Sequence, residues 1–408
     1  LNLARASKDS MSFSFDTLGL SPALLRAVRE LGYTAPTPVQ AQAIPPGLAG
    51  RDVLASAQTG TGKTAAFGIP LIERLAALPR PKRGEARKTR ALILAPTREL
   101  AAQIAANLSA LAAHTGLRVV AIYGGVGFGP QRDALARGTE IVVACPGRLL
   151  DLLAQGAARL DDVSHLVLDE ADRMLDMGFL PAVRRIVAKL PRERQTLFFS
   201  ATIASEIATL SRELLRDPVR VEIAPKSTST AEGITHVAYT IDRERKTDLL
   251  LHLLGDNRIF SAIAFTRTKA RANRLALALA KHGHQAERIH GDRSQAQRTR
   301  ALDQFKKGKL RVLVATDIAA RGIDVEDLGH VINFDVPMAP EDYVHRVGRT
   351  ARAAATGDAI TFVSHDEEPY FRDIEKAVGR RIDRAKTPQL PAAPERQEQP
   401  APRKPRRR

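Results

Sequence analysis

Apolar residues fall in short runs that close on a polar or glycine-rich turn and then give way to helical spacing. In the first half these runs are 53–55, 91–95, 119–123, 141–144, 166–168 and 196–199. Runs of this length alternating with helical segments are the rhythm of βαβ units and a parallel sheet. The stretch Pro225-Lys226-Ser227-Thr228-Ser229-Thr230 breaks the rhythm and reads as a linker. A second series begins near Ile234 and includes runs 259–265, 311–315, 330–334 and 359–363. From about Lys386 the chain is rich in Pro, Gln and Arg and carries too few apolar residues to fold. The pattern predicts an α/β fold of two tandem domains, each a parallel sheet flanked by helices. Their expected spans are 11–223 and 233–385, with a linker at 224–232 and a disordered basic tail at 386–408.

Length agrees, because 408 residues suffice for two ordinary cores. Charge narrows the partner: 62 Lys+Arg against 45 Asp+Glu give a net +17, which favours a polyanion such as nucleic acid. Charge alone would equally suit a ribosomal protein or a binder of acidic membranes. Cys145 is the single cysteine, so no internal disulfide forms and a reducing cytoplasm is the expected compartment. No window approaches 18 uninterrupted apolar residues, so membrane insertion and export are not expected. The chain opens on Leu1, with Met11 just before the first patterned segment, and residues 1–10 carry no assigned function.

The turns carry the candidate chemistry. Ala57-Gln58-Thr59-Gly60-Thr61-Gly62-Lys63-Thr64 lies between an apolar run and a helical pattern. Backbone N–H groups of such a loop cradle phosphates, Lys63 can reach the β and γ groups, and the Thr64 hydroxyl can ligate Mg²⁺. Alanine stands at position 57, where the strict pattern has glycine. Further on, a buried run leads directly into Asp169-Glu170-Ala171-Asp172. A metal-bound triphosphate needs one carboxylate for Mg²⁺ and another for the attacking water, which an acidic pair at a strand end supplies.

The sequence Asp169-Glu170-Ala171-Asp172, with further motifs in order over roughly residues 13–380, resembles the DEAD-box RNA helicases. That resemblance implies two RecA-like domains and ATP as cofactor with Mg²⁺. Phe15 and the segment Gly32 to Gln40 are similar to the family's adenine-sensing motif. The chemistry fits, since the Gln40 amide offers both a donor and an acceptor to adenine and Phe15 offers a stacking face. Ser200-Ala201-Thr202 resembles the coupling motif, whose hydroxyls bond the acidic motif through Asp172; without the family, these hydroxyls read equally as a helix N-cap.

In the second half, His345-Arg346-Val347-Gly348-Arg349-Thr350-Ala351-Arg352 resembles the family's arginine motif, with Ala351 in the place of a glycine. By that resemblance Arg349 and Arg352 reach the γ-phosphate across an interdomain cleft, while His345 and Arg346 couple the domains. Such an arginine contributes roughly 10³ to 10⁵ in rate. The segment Val314 to Asp324 resembles a further motif, with Asp324 as ribose contact and Thr316 as RNA phosphate contact. Closure on ATP then acts as a gate.

Loops at strand ends match the family's backbone-binding motifs. They are Pro96-Thr97-Arg98-Glu99-Leu100, Gly124-Gly125 and Cys145-Pro146-Gly147-Arg148, then Phe265-Thr266-Arg267, His290-Gly291 and Gln295-Ala296-Gln297-Arg298. Arginines, hydroxyls and bare glycine N–H groups all suit phosphate oxygens. Each tripeptide alone also fits a helix cap or turn, and the ordered set carries the reading. Cys145 replaces a threonine, exchanging a hydroxyl for a weak thiol donor. With 4% aromatic residues and no Trp, base stacking has little support and sequence-independent backbone binding is expected. The tail from Lys386 holds seven basic residues against two Glu, which suits an RNA tether or a solvated end. Segments 127–131 and 369–382 look similar to the bacterial RhlE-like subgroup.

The expected function is thus an ATP-dependent RNA helicase that opens short duplexes locally or remodels RNA–protein complexes, with ribonucleoprotein or RNA-decay partners. The alternative is an ATP-gated RNA clamp or annealing chaperone. A DNA helicase would share the ATP site, and only RNA offers 2′-hydroxyls to distinguish them.

Overall fold

The computed structural model describes residues 14–57, 60–79, 86–223, 234–255, 259–320, 328–350 and 357–391. The expected linker therefore lies wholly outside the described residues, as do Met11 and the tail from residue 392.

The first unit holds β1 (Val53–Ser56), β2 (Ala91–Leu94), β3 (Val119–Ile122), β4 (Ile141–Ala144), β5 (His165–Leu168), β6 (Gln195–Ser200) and β7 (Val219–Glu222). They form one seven-stranded sheet in the order β3-β4-β2-β5-β6-β1-β7, with every pairing parallel. Successive side chains leave opposite faces of a strand. Val53, Ala55, Ile93, Leu197 and Phe199 accordingly pack into one apolar layer, and Leu54, Leu92, Leu94 and Phe198 into the other. Each βα crossover lays a helix over one of these layers, which is why the strands read as continuous apolar runs.

The second unit holds β8 (Ile234–Thr240), β9 (Ala262–Phe265), β10 (Ala286–Ile289), β11 (Val312–Ala315), β12 (His330–Asn333), β13 (Gly357–Val363) and β14 (Asp383–Ala385). Its sheet, also parallel, runs β10-β11-β9-β12-β13-β8-β14. Subtracting seven from each label reproduces the first order, so the two units share one topology.

Three strands escaped the apolar-run pattern. β7 alternates Val-Arg-Val-Glu at a sheet edge, β10 reads Ala-Glu-Arg-Ile at the opposite kind of edge, and β14 is three residues long with two of them exposed. An edge strand is covered on fewer sides and needs fewer apolar residues. The expected tail also starts later than composition suggests. Thr387 Oγ1 donates to Thr240 O at 2.9 Å, Arg245 Nη2 donates to Pro391 O at 2.5 Å, and Leu390 packs against the core of the second unit. Among the described residues, no helix is long and apolar enough to cross a membrane.

Candidate functional site

Ligands of open parallel sheets bind beyond the carboxyl ends of the strands. In the first unit the turns after β1, β5 and β6 meet there, because these three strands are neighbours in the sheet. After β1 the chain enters the phosphate-loop segment, of which Gln58 and Thr59 lie outside the described residues. Gly60 and Gly62 both have positive φ, and Gly62, at +91°, caps the helix Lys63–Ala76. A Cβ on Gly62 would lie 2.4 Å from Gln40 Nε2, so glycine is required for both backbone and space. Ala57 has no left-handed backbone, so its replacement of glycine carries no conformational cost.

Gln40 and Thr37 clamp this loop. The Gln40 amide donates from Nε2 to Gly62 O at 3.1 Å and accepts from Thr37 N at 3.0 Å, while the Thr37 hydroxyl donates to Thr61 O at 2.7 Å. The amide expected to read adenine therefore also ties the helix Pro38–Leu48 to the loop. Phe15, expected as a stacking face, is buried with its ring 6.2 Å from that of Tyr33. Lys63 is buried and its Nζ donates to Ala57 O at 3.0 Å; Thr64 is half-buried one residue on.

The acidic motif follows β5. Asp169 is buried, and burial pushes its carboxyl up to about 6 despite the opposing pull of the Lys63 charge. Its Oδ1 accepts Glu170 N at 3.0 Å. Glu170 itself is left-handed at φ 53°, a conformation shared among the described non-glycine residues only by Asp217. Such a backbone costs roughly 1 kcal/mol or more, so the surrounding contacts must hold it. Asp172, on the helix Ala171–Asp176, reaches the turn after β6. Its Oδ2 accepts Ala201 N at 3.1 Å, Thr202 N at 2.8 Å and Thr202 Oγ1 at 3.1 Å. Ser200 Oγ accepts Asp172 N at 3.2 Å and donates to Thr202 O at 2.7 Å. Ser200 ends β6, and the next helix is capped at Ala204, so neither hydroxyl serves as its N-cap.

The loops expected to bind backbone are partly engaged with one another. Pro96 and Thr97 are buried, and the Thr97 hydroxyl caps the helix Arg98–Leu111 by accepting Leu100 N at 3.3 Å. The Arg98 guanidinium packs close against the Gly124-Gly125 turn: a Cβ on Gly125, at φ +80°, would be 1.9 Å from its Nη1. Pro146 starts the helix Pro146–Ala154 and Gly147 is exposed beside it. Arg148 donates from Nη1 and Nη2 to Val126 O, each at 3.1 Å, and sits 4.0 Å over the Phe128 ring. Cys145 is buried, with its thiol pushed up to about 12, so it remains a protonated weak donor.

In the second unit, Thr266 is buried with its hydroxyl 3.4 Å from Thr268 O, Gly291 is exposed, and Arg298 and Thr316 are buried. Arg267 is held by Glu367 Oε1 at 2.8 Å and Val336 O at 3.1 Å. Arg346 is pinned: it forks onto Asp317 at 2.6 and 2.7 Å and donates to Asn333 Oδ1 at 3.1 Å and Asp335 O at 2.7 Å. His345 is exposed on the helix Pro340–Val347, and Arg349 follows that helix, largely buried. Asp324 and Arg352 lie outside the described residues.

Two groups lie outside the motif reading, Arg173 and Lys246, and Thr37 lies inside it without a role of its own. Thr37 holds the phosphate loop, Arg173 pairs with Glu170, and buried Lys246 bonds Phe334 O, Phe362 O and Glu367. Of the two outside the motifs, only Arg173 leaves a trace in the sequence, standing one helical turn after Glu170.

The chain is similar to known proteins along most of its length. A family model described as DEAD/DEAH box helicase matches residues 37–210, and one described as helicase conserved C-terminal domain matches residues 245–354. The DEAD-box ATP-dependent RNA helicase CshA of Bacillus subtilis (strain 168) is 44% identical over 389 residues, covering 95% of this chain and 77% of that protein. CshA of Geobacillus kaustophilus is 43% identical over 385 residues, covering 94% and 81%. Among solved structures, S. cerevisiae Dbp5 bound to RNA and ADP BeF3 superposes with a TM-score of 0.80 at 31% identity, covering 92% of this chain and 96% of that one.

Proposed function

The chain belongs to the DEAD/DEAH-box helicases, and from that membership we propose how its residues divide the work of an ATP-dependent RNA helicase. The protein binds ATP and RNA and hydrolyses ATP as it remodels RNA. The phosphate loop, with Gln58, Thr59, Gly60 and Thr61, presents N–H groups to the triphosphate, Lys63 supplies positive charge, and Gln40 and Phe15 serve the adenine side. Thr64 and Asp169 would hold Mg²⁺, which neutralises phosphate charge. The buried Asp169 carboxyl, raised by desolvation, is a group that a cation would stabilise in its ionised form. Glu170 orients and deprotonates the attacking water. Arg349 and Arg352 serve the γ-phosphate and Asp324 the ribose.

One observation carries the coupling: the Asp172 carboxylate gathers Ala201 N, Thr202 N and the Thr202 hydroxyl, so the acidic motif and the Ser200–Thr202 turn cannot shift independently. The Arg98, Gly124-Gly125 and Arg148 surface supports sequence-independent contact with RNA phosphates in the first unit, and Thr266, Gly291, Arg298 and Thr316 are assigned it in the second. The basic tail adds electrostatic tethering. Segments 127–131 and 369–382 support the RhlE-like subgroup, while the matched relatives above are CshA proteins. A single cysteine fits a reducing cytoplasm. Comparing ATPase stimulation by RNA and by DNA of one sequence tests the reading. RNA should stimulate strongly, and equal stimulation by DNA contradicts it.

A further inference from the structure

We propose that Arg173 is a positioning residue that makes the Glu170 carboxylate follow the Ser200–Thr202 turn, so that RNA-dependent changes in that turn reach the hydrolytic site. The proposal rests on the function given above and deepens it.

Three links lie within the first unit. The Asp172 carboxylate is shared between two clients: Oδ2 takes the Ala201 and Thr202 donors, and Oδ1 accepts Arg173 N at 3.0 Å. Arg173 Nη1 then forms an ion pair with Glu170 Oε2, and both side chains are about nine-tenths buried or more. Arg173 N and Met174 N each donate to Glu170 O at 3.1 Å, so backbone and side chain of one helical turn both grip Glu170. A displacement of the turn moves Asp172, the peptide of Arg173 with it, and through the guanidinium the carboxylate of Glu170.

Two further observations favour positioning over simple stability. Glu170 keeps a left-handed backbone at φ 53°, which persists only where neighbours impose it. The Arg173 guanidinium is engaged through one arm: its Nε and Nη2 find no hydrogen-bond partner among the described residues although they are buried. Buried donors left without partners call for an explanation beyond packing. This one is held mainly by the carboxylate whose direction it sets.

The test uses the full chain. Arg173→Ala and Arg173→Lys are compared with the parent for ATP turnover with and without saturating RNA, for ATP KM, and for thermal unfolding. Parental stimulation by RNA and loss of turnover in Glu170→Gln are established first, so a failure of the functional reading shows before Arg173 is judged. In Arg173→Ala, turnover with RNA should fall further than turnover without it, lowering the stimulation ratio roughly tenfold at little change in ATP KM. Arg173→Lys, which keeps the charge, should recover part of that ratio. Combining Arg173→Ala with Thr202→Ala should lower the ratio by less than the product of the single effects. Both rates falling in proportion, or effects that multiply, overturn the proposal. If Arg173→Ala does not fold, the Lys variant decides: an unchanged ratio in it, with unchanged coupling to Thr202→Ala, counts against the relay.

Discussion

Gln40 holds Gly62 directly, its side-chain amide donating to the Gly62 carbonyl at 3.1 Å from a helix that precedes the phosphate loop. The same amide accepts Thr37 N, so the loop is braced before any nucleotide arrives. Gln40→Ala removes both bonds without adding bulk. The ATP KM should rise about tenfold while the melting temperature moves little, since each bond contributes roughly 1 kcal/mol. An unchanged KM in steady-state ATPase assays contradicts the brace.

Gly62→Ala probes the same contact from the other side. The new methyl group would meet Gln40 Nε2 at 2.4 Å on a backbone with φ of +91°. Nucleotide affinity, measured by calorimetry with ADP, should fall more than in Gln40→Ala, because strain adds to the lost bond.

Asp172 supplies a prediction about coupling. Replacing it with Asn keeps shape but removes the charge that gathers three donors of the 201–202 turn. Strand displacement per ATP hydrolysed should drop severalfold, because charge-assisted bonds contribute about 1.5–3 kcal/mol. Parallel assays of unwinding and phosphate release measure this ratio directly.

Much of this site was legible beforehand because ligand-facing turns follow apolar strands, and apolar strands leave a pattern. The segments assigned as phosphate loop and acidic motif follow β1 and β5 in that way. The contact of Ser200 and Thr202 with Asp172 was expected from the family resemblance, whereas no spacing rule tells that Gln40 turns toward Gly62 or that Arg98 lies on Gly125. Likewise β7, β10 and β14 are edge strands whose polar residues solvent tolerates, so they leave no continuous apolar run. Lys246 was hidden for a different reason: a lysine reads as a surface residue, whereas here two strand-end carbonyls and Glu367 satisfy its three donors in the core.

Lys246→Met tests that last arrangement. Removing the cation leaves Glu367 and Asp335 buried with less compensation, although Arg267 and Arg271 still pair with them at 2.8 and 2.7 Å. The second unit should lose about 3–5 kcal/mol in urea unfolding, the usual result of breaking a buried pair. A loss below about 1 kcal/mol shows that the two arginines suffice.

Acid should destabilise the second unit through His236. Burial, and then the charge of Arg380, holds its imidazole at about 4 against an ordinary 6.5, with Nδ1 2.8 Å from the Tyr343 hydroxyl. Between those values the unfolded chain binds a proton that the folded chain refuses, so stability is complete above about 6.5 and falls as pH drops toward about 4. His236→Gln should flatten that slope in urea titrations at several pH values. His165, also held at about 4 by burial, adds the same trend to the first unit.

In the proposed division of work, ATP binding and ATP cleavage use separable groups, with Glu170 serving cleavage alone. Glutamine at 170 keeps the shape but cannot take the proton of the attacking water. Lys63, Thr64, Asp169, Arg349 and Arg352 remain, so ATP and RNA should still be held together. The decisive measurement is the residence time of RNA on Glu170→Gln in the presence of ATP, beside the parent and Arg349→Ala. Turnover should fall by about 10² or more, with RNA held longer than by the parent and released rapidly from Arg349→Ala. Hydrolysis near the parental rate, or release from Glu170→Gln as fast as from Arg349→Ala, would contradict that division.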